Sequence, residues 1–105
     1  MENLSKTQVK YLRKLSHGEK PIFQMGKLGL SEIFIKQVDE ALEKRELIKF
    51  NLLQNSSETI EDVASQIAEA VDASVIQIVG KTAILYRPSS REKFQKISQD
   101  VANIA

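Results

Sequence analysis

Two glycines three residues apart, with a lysine between them, form the stretch of this chain best suited to holding an anion. Gly26-Lys27-Leu28-Gly29-Leu30-Ser31 joins a short apolar run to a helical pattern that begins at Glu32. Glycine permits backbone angles at which main-chain N–H groups face a phosphate, and a helix N-terminus adds a positive dipole end. We predict that Gly26, Lys27 and Gly29 contact a phosphate; an ordinary strand-to-helix turn is the alternative.

Basic residues are unevenly distributed along the chain, whose formal net charge is only +1. Residues 1–30 hold six basic and two acidic side chains, residues 31–72 hold four and ten, and residues 73–105 hold five and two. This asymmetry can place a positive patch on a nearly neutral protein and steer a polyanion to it. The alternative is a solvated surface without a partner. The cations concerned are Lys6, Lys10, Arg13, Lys14, Lys20 and Lys27.

The first helix is predicted from Lys6 to about Ser16. Ser5 and Gln8 have the spacing of a capping box, in which each side chain bonds the backbone N–H of the other. His17 is the only histidine, and we interpret it as a helix-end residue rather than a ligand or base. One apolar stripe contains Val9, Leu12 and Leu15, and the basic residues fall mainly on other sides of the helix.

Helical spacing predicts two further helices, at residues 31–44 and 58–71, the first capped by Ser31. Apolar runs and alternation predict strands at residues 21–25, 47–53, 74–79 and 82–87. The last two form a hairpin turned at Gly80-Lys81. In the predicted register, Val79 faces Thr82, Ile78 faces Ala83 and Ile76 faces Leu85.

The element order is therefore α-β-α-β-α-β-β, which predicts a two-layer α/β fold with a four-stranded mixed sheet. Right-handed crossovers place the second and third helices on one face of that sheet. The other face is predicted to remain available, as a contact surface or a solvated face partly covered by the first helix. It would present Lys49, Asn51, Gln77, Thr82 and Tyr86.

Residues 1–88 are expected to form one domain, and residues 89–105 a separate amphipathic tail. Three outcomes are open for the tail: an extra helix on the core, a partner-binding helix, or a frayed end. Its apolar positions are Phe94, Ile97, Val101 and Ile104.

The composition of the chain excludes several classes of protein function. The absence of cysteine excludes disulfides and thiolate chemistry, and no apolar run approaches the roughly 20 residues that span a bilayer. We expect a soluble cytoplasmic protein without cofactor, metal or small-molecule substrate. Asp39, Glu40 and Glu43 are expected to face water without a partner nucleophile, and the glycine loop at residues 26–31 lacks a Gly-Lys-Ser/Thr signature, so we do not expect an enzyme.

Four stretches, read in order, carry a family resemblance. They are residues 10–15 (KYLRKL), 20–30 (KPIFQMGKLGL), 41–49 (ALEKRELIK) and 77–88 (QIVGKTAILYRP). Together they resemble the CRM domain (chloroplast RNA splicing and ribosome maturation), specifically its small, stand-alone bacterial YhbY-like members. The resemblance covers about Leu4 to Pro88. Leu28 and Asn51 depart from the family pattern, in which a smaller or polar residue and a basic residue are common.

The resemblance implies RNA binding, association with precursors of the large ribosomal subunit, and a fold similar to the C-terminal domain of a bacterial translation initiation factor. It also implies that the glycine loop and first helix contact RNA. We therefore predict an RNA-binding protein that recognises structured ribosomal RNA by shape, since aromatic residues are few and Phe23, Phe50 and Tyr86 are expected in or beside the core. A protein-interaction module using the C-terminal stripe is the alternative. The predicted RNA contacts are Lys6, Lys10, Arg13, Lys14, Lys20, Gly26, Lys27, Gly29 and Lys49.

Overall fold

A computed structural model describes residues 4–25, 31–52 and 59–104. Gly26, Lys27 and Gly29 lie outside the described residues. The α/β class is confirmed. The elements are α1 (Lys6–Ser16), β1 (Phe23–Met25), α2 (Glu32–Arg45), β2 (Leu47–Leu52), α3 (Ile60–Val71), β3 (Ser74–Val79), β4 (Thr82–Tyr86), a 3-10 turn (Glu92–Phe94) and α4 (Ile97–Ala102).

Side-chain caps determine where the first three helices begin. Ser5 Oγ accepts from the Gln8 N–H at 3.1 Å and Gln8 Oε1 accepts from the Ser5 N–H at 2.9 Å, which confirms the capping box. Ser31 caps α2 as predicted, accepting from the Phe34 N–H at 3.2 Å. Thr59 caps α3, so this helix begins at Ile60.

The strands lie in the order β1-β2-β4-β3. β2, β4 and β3 form an antiparallel sheet of three strands, and the three residues of β1 pair in parallel with β2 at its edge. Phe23 is level with Phe50, and Met25 is level with Leu52. The chain therefore leaves β1 for the glycine loop at the end of the sheet where β2 finishes.

The predicted hairpin register is correct near the turn and wrong beyond it. Val79 pairs with Thr82 and Ile78 with Ala83, but a β-bulge at Ile76 pairs Val75, rather than Ile76, with Leu85. A bulge adds one residue to its strand and reverses the alternation of side chains. Ile76 consequently packs on the opposite face of the sheet from Ile78.

One side of the sheet, which we call the front face, is covered by α2 and α3 as predicted. Its core contains Val38 and Leu42 from α2, the helical stripe of α3, and Ile48 and Phe50 from β2. Phe34 belongs to this core although the sequence interpretation omitted it, and its ring meets that of Phe50 edge-on at a centroid distance of 5.8 Å.

The other side, the back face, is not available as predicted, and the two-layer expectation is wrong. α1 and α4 pack on it around a second apolar cluster that includes Leu12, Ile84 and Val101. Tyr86, expected on an accessible face, is 1% exposed within this cluster. Helices cover the centre of each side of the sheet, and the sheet stays accessible mainly towards β3, where Val79 is 57% exposed.

Candidate nucleic-acid interface

The outer side of α1 carries a row of cations opposite its buried side. Leu12 is fully buried against the back face. At about 3.6 residues per turn, the four cations project within roughly a quarter of the helix circumference, on the side away from Leu12. All four are exposed. We call this row the basic stripe, and it consists of Lys6, Lys10, Arg13 and Lys14.

Three members of the basic stripe border one surface depression. Lys6, Lys10 and Arg13 line it together with the apolar side chains of Leu4 and Val9. Cations beside apolar surface suit a backbone that alternates phosphate and sugar. The structure thus brings these three predicted contacts together at one place.

The remaining predicted cations near α1 lie at its C-terminal half and beyond. Lys14 borders a second depression with Tyr11, Leu15 and Gly18. Lys20 is exposed in the segment between α1 and β1. Within residues 4–25, 31–52 and 59–104, no carboxylate lies within ion-pair distance of a basic-stripe side chain. The stripe therefore keeps its charge for an external anion.

Lys49, predicted on the open sheet face as an RNA contact, lies apart from the basic stripe, and its contact with RNA stays a prediction. Its side chain is half buried, and its Nζ donates to the carbonyl oxygens of Ser16 at 3.1 Å and Glu19 at 3.2 Å. Carbonyl groups at a helix C-terminus lack partners within the helix and carry partial negative charge. Lys49 thus holds the C-terminal end of α1 against β2, a role that strand alternation alone could not reveal.

Met25, Leu52 and Lys81 lie in a row at the end of the sheet where β1 ends. Met25 is level with Leu52, and the Leu52 N–H donates to the Lys81 carbonyl at 2.8 Å. Two strand spacings separate β1 from β4, so Lys81 is about 10 Å from the last described residue before the loop. Gly80, with φ of 59°, makes the turn that exposes Lys81. The sequence interpretation used Lys81 only as a turn residue.

Asp39 and Glu40 are exposed as expected, but Glu43 is partly buried, and two of these three carboxylates also have partners within the protein. Arg87 pairs with Asp39 and lies 3.7 Å from Glu43. Glu43 also accepts bonds from Ser90, which are the main reason its pKa lies below the usual value. These carboxylates fix the chain that follows β4.

Within the described ranges, no helix is both long and apolar enough to cross a membrane. In the same ranges, no group of three or more His, Cys, Asp or Glu side chains could hold a metal ion.

A sheet flanked on its back face by a helix with an exposed cation row defines a small α/β domain with a basic surface. The family model of the CRS1 / YhbY (CRM) domain matches residues 4–87, and the chain belongs to this family. The resemblance found in the sequence motifs is thereby confirmed.

Relatives of similar length support this assignment. The chain is 42% identical over 90 residues to the "Probable RNA-binding protein YqeI" of Bacillus subtilis, covering 86% of this chain and 94% of that protein. It is 33% identical over 95 residues to a protein of Haemophilus influenzae named "RNA-binding protein", covering 90% of this chain and 96% of the relative. The solution structure of a Staphylococcus aureus hypothetical protein has a TM-score of 0.73 and 40% identity, covering 90% of this chain and 98% of the other.

Proposed function

We propose that this protein binds RNA through the basic stripe of α1. The observation that carries the proposal is the exposed row of Lys6, Lys10, Arg13 and Lys14 on the side of α1 that faces away from the sheet, where no carboxylate of the described residues pairs with it. Two relatives in the same family are named as RNA-binding proteins, and a row of exposed cations is consistent with that name. The protein acts in this proposal as a binding module in the cytoplasm and performs no catalysis.

The proposed RNA is structured ribosomal RNA in precursors of the large ribosomal subunit. Phe50 and Tyr86 are buried, so these two rings supply no platform for stacking bases. A row of cations recognises the position of phosphates, and thus the shape of a folded RNA, more than base identity. Lys20 extends the proposed interface beyond α1.

The glycine loop remains part of this proposal as an expectation from sequence. Gly26 and Gly29 would let main-chain N–H groups approach one phosphate beside the N-terminus of α2, with Lys27 as the adjoining cation. Lys27→Ala should weaken RNA binding by about 1 kcal/mol and leave stability unchanged, because only a charge-assisted contact is removed. Equal affinity in a direct titration would remove Lys27 from the interface.

Salt dependence tests the proposed function as a whole. With four or five phosphate contacts, the logarithm of the affinity for a ribosomal RNA fragment should fall with the logarithm of salt concentration at a slope of about −3 to −4. A fluorescence-anisotropy titration at several salt concentrations measures this slope. A flat response would contradict binding through the basic stripe.

The alternative, a protein-interaction module using the C-terminal apolar stripe, is less consistent with the packing. Val101 is only 3% exposed and belongs to the back-face cluster, and Ile97 packs against the same cluster. A partner helix would have to displace contacts that this chain already makes with itself.

A further inference from the structure

Glu46 is a buried carboxylate at the C-terminal end of α2. It is 0% exposed, and its backbone has φ of 67°, in the left-handed region that favours glycine at the end of a helix. Its N–H donates to the Leu42 carbonyl at 2.8 Å and ends the helix there. Because glycine would serve this backbone position with less strain, the glutamate side chain must contribute something that glycine cannot.

The carboxylate of Glu46 accepts three backbone N–H groups from distant parts of the chain. Oε2 accepts from Ser89 at 2.7 Å, and Oε1 accepts from Lys96 and Ser98 at 3.0 Å each. Burial raises the pKa of Glu46, but the bonds from Ser98, Ser89 and Lys96 together outweigh it and hold the pKa below its usual value. One ionised side chain thus fastens both ends of residues 89–98.

The same part of the chain continues into α4, which is bonded to α1. Gln8 Nε2 donates to the carbonyl oxygens of Val101 at 2.9 Å and Ile104 at 3.0 Å. Tyr11 Oη donates to Asp100 Oδ2 at 3.2 Å. Since Gln8 also completes the N-terminal cap of α1, the position of α4 is coupled to the start of the helix that carries the basic stripe.

We propose that Glu46 is a positioning residue for RNA binding, because by fastening residues 89–98 it docks α4 against α1 and sets the orientation of the basic stripe. This inference rests on the proposed function. Cations held in one orientation bind with less loss of conformational freedom than cations on a helix that must be ordered by the ligand. Residues 89–104 are then a functional part of the RNA-binding domain rather than a separate tail.

Reciprocity provides a test on the wild-type protein. If docking of residues 89–98 favours RNA binding, RNA binding must favour docking by the same factor. Saturation with a ribosomal RNA fragment should therefore slow amide hydrogen exchange at Ser89, Lys96 and Ser98, by about fivefold or more if the coupling is of typical size. Unchanged exchange at these three amides would overturn the inference.

Glu46→Gln tests the coupling from the other direction. The neutral amide offers one acceptor oxygen where the carboxylate offers two, so exchange at Ser89, Lys96 and Ser98 should accelerate. RNA affinity at low temperature, where the variant is folded, should fall about fivefold or more. Faster exchange with wild-type affinity, or unchanged exchange, would overturn the role of Glu46. The wild-type exchange experiment decides the matter if the variant does not fold.

Two controls separate this inference from the function on which it rests. Glu43→Gln removes a half-exposed carboxylate that contacts only Ser89 and Ser90 of the same segment, and it should weaken RNA binding less than Glu46→Gln. Lys10→Gln should weaken RNA binding without changing exchange at Lys96 or Ser98. If the wild type does not bind RNA and Lys10→Gln has no effect, the proposed function itself fails.

Discussion

Helices cover the two faces of the sheet through different kinds of contact. On the front face, α2 and α3 pack through a continuous apolar cluster in which Phe34 and Phe50 meet edge-on. On the back face, a smaller apolar cluster is supplemented by polar side chains that bond backbone groups: Lys49 at the end of α1, Gln8 at α4 and Glu46 at residues 89–98. Apolar packing is non-directional, whereas hydrogen bonds fix orientation. Arg87 also bonds the Val71 and Asp39 carbonyls of the front-face helices, at 2.9 and 3.1 Å. On the back face, however, directional contacts hold the helix that carries the proposed RNA contacts.

Phe50→Ala should cause the largest loss of stability and show that the front face supports the whole fold. Phe50 is fully buried, and removing its ring leaves a cavity beside Phe34, for an expected loss of about 4 kcal/mol. Urea denaturation followed by circular dichroism measures it. Leu12→Ala on the back face should cost less, about 3 kcal/mol. A smaller effect at Phe50 than at Leu12 would reverse the comparison.

Glu46→Gln should destabilise the protein by about 2–3 kcal/mol at neutral pH, because charge-assisted bonds to buried backbone groups are lost. The folded-state pKa of Glu46 is lowered, so this stabilisation is complete above the unfolded-state pKa of about 4.3 and is lost as pH falls through the lower folded value. The stability difference between wild type and variant should therefore be constant from pH 7 to about 5 and shrink below about pH 4. Denaturation midpoints at several pH values measure it.

Nearby charges do not obscure this pH test. Glu43 contacts the same segment, its pKa is also lowered, mainly by Ser90, and it lies 3.7 Å from Arg87. It titrates in wild type and variant alike, so its contribution largely cancels in the difference. A stability difference that grows as pH falls would show that Glu46 is not an ionised acceptor.

The helix starts and the basic stripe could be predicted from sequence because their determinants are local. Ser5 and Ser31 lie at cap positions directly before amphipathic repeats, and the helices begin where those caps predict. The spacing of Lys6, Lys10 and Arg13 likewise places them on one side of α1 whatever packs beneath. These parts of the fold and of the candidate site follow from the period of the helix.

Back-face structure could not be predicted in the same way because its determinants are distant in sequence. The bulge at Ile76 directs that side chain into the cluster with Leu12, which lies more than sixty residues earlier in the chain. In the sequence, Glu46 is one of several charged residues at the end of a helix. Its role becomes visible only in the fold, where the backbone N–H groups of Lys96 and Ser98 donate to its carboxylate. Lys49 lies between apolar residues of β2, a pattern that predicts a solvent-facing side chain. In the structure its ammonium group instead donates to the Ser16 carbonyl.

Lys49→Met tests whether this lysine belongs to the protein interior or to the RNA interface. The substitution keeps an apolar stem but removes the donor to the Ser16 and Glu19 carbonyls, so stability should fall by about 1–2 kcal/mol. The slope of RNA affinity against salt should stay that of wild type, because no phosphate contact is lost. If stability is unchanged and the slope of RNA affinity against salt is reduced, Lys49 contacts RNA instead.

Lys10→Gln tests which face of the molecule meets RNA. Lys10 is central in the basic stripe outside the back face, and its loss should weaken RNA binding by about 1 kcal/mol and reduce the salt slope by nearly one, with stability unchanged. Lys36→Gln is the matched control, because Lys36 is an exposed lysine of α2 outside the front face. Equal weakening by both variants in anisotropy titrations would mean that binding follows total charge rather than the stripe.

Lys81→Gln should have the smallest effect, and it asks whether RNA bound at the back face reaches around the end of the sheet. Lys81 lies in the row with Leu52 and Met25, beside the point where the chain enters the glycine loop. An RNA backbone that spans α1 and that loop would pass near it, so we expect a loss of about 0.5 kcal/mol in binding. The double variant with Lys10→Gln should be additive, because the two side chains would contact different phosphates. If Lys81→Gln binds RNA as tightly as wild type in the same titration, the RNA contact is limited to the side of the molecule that carries α1.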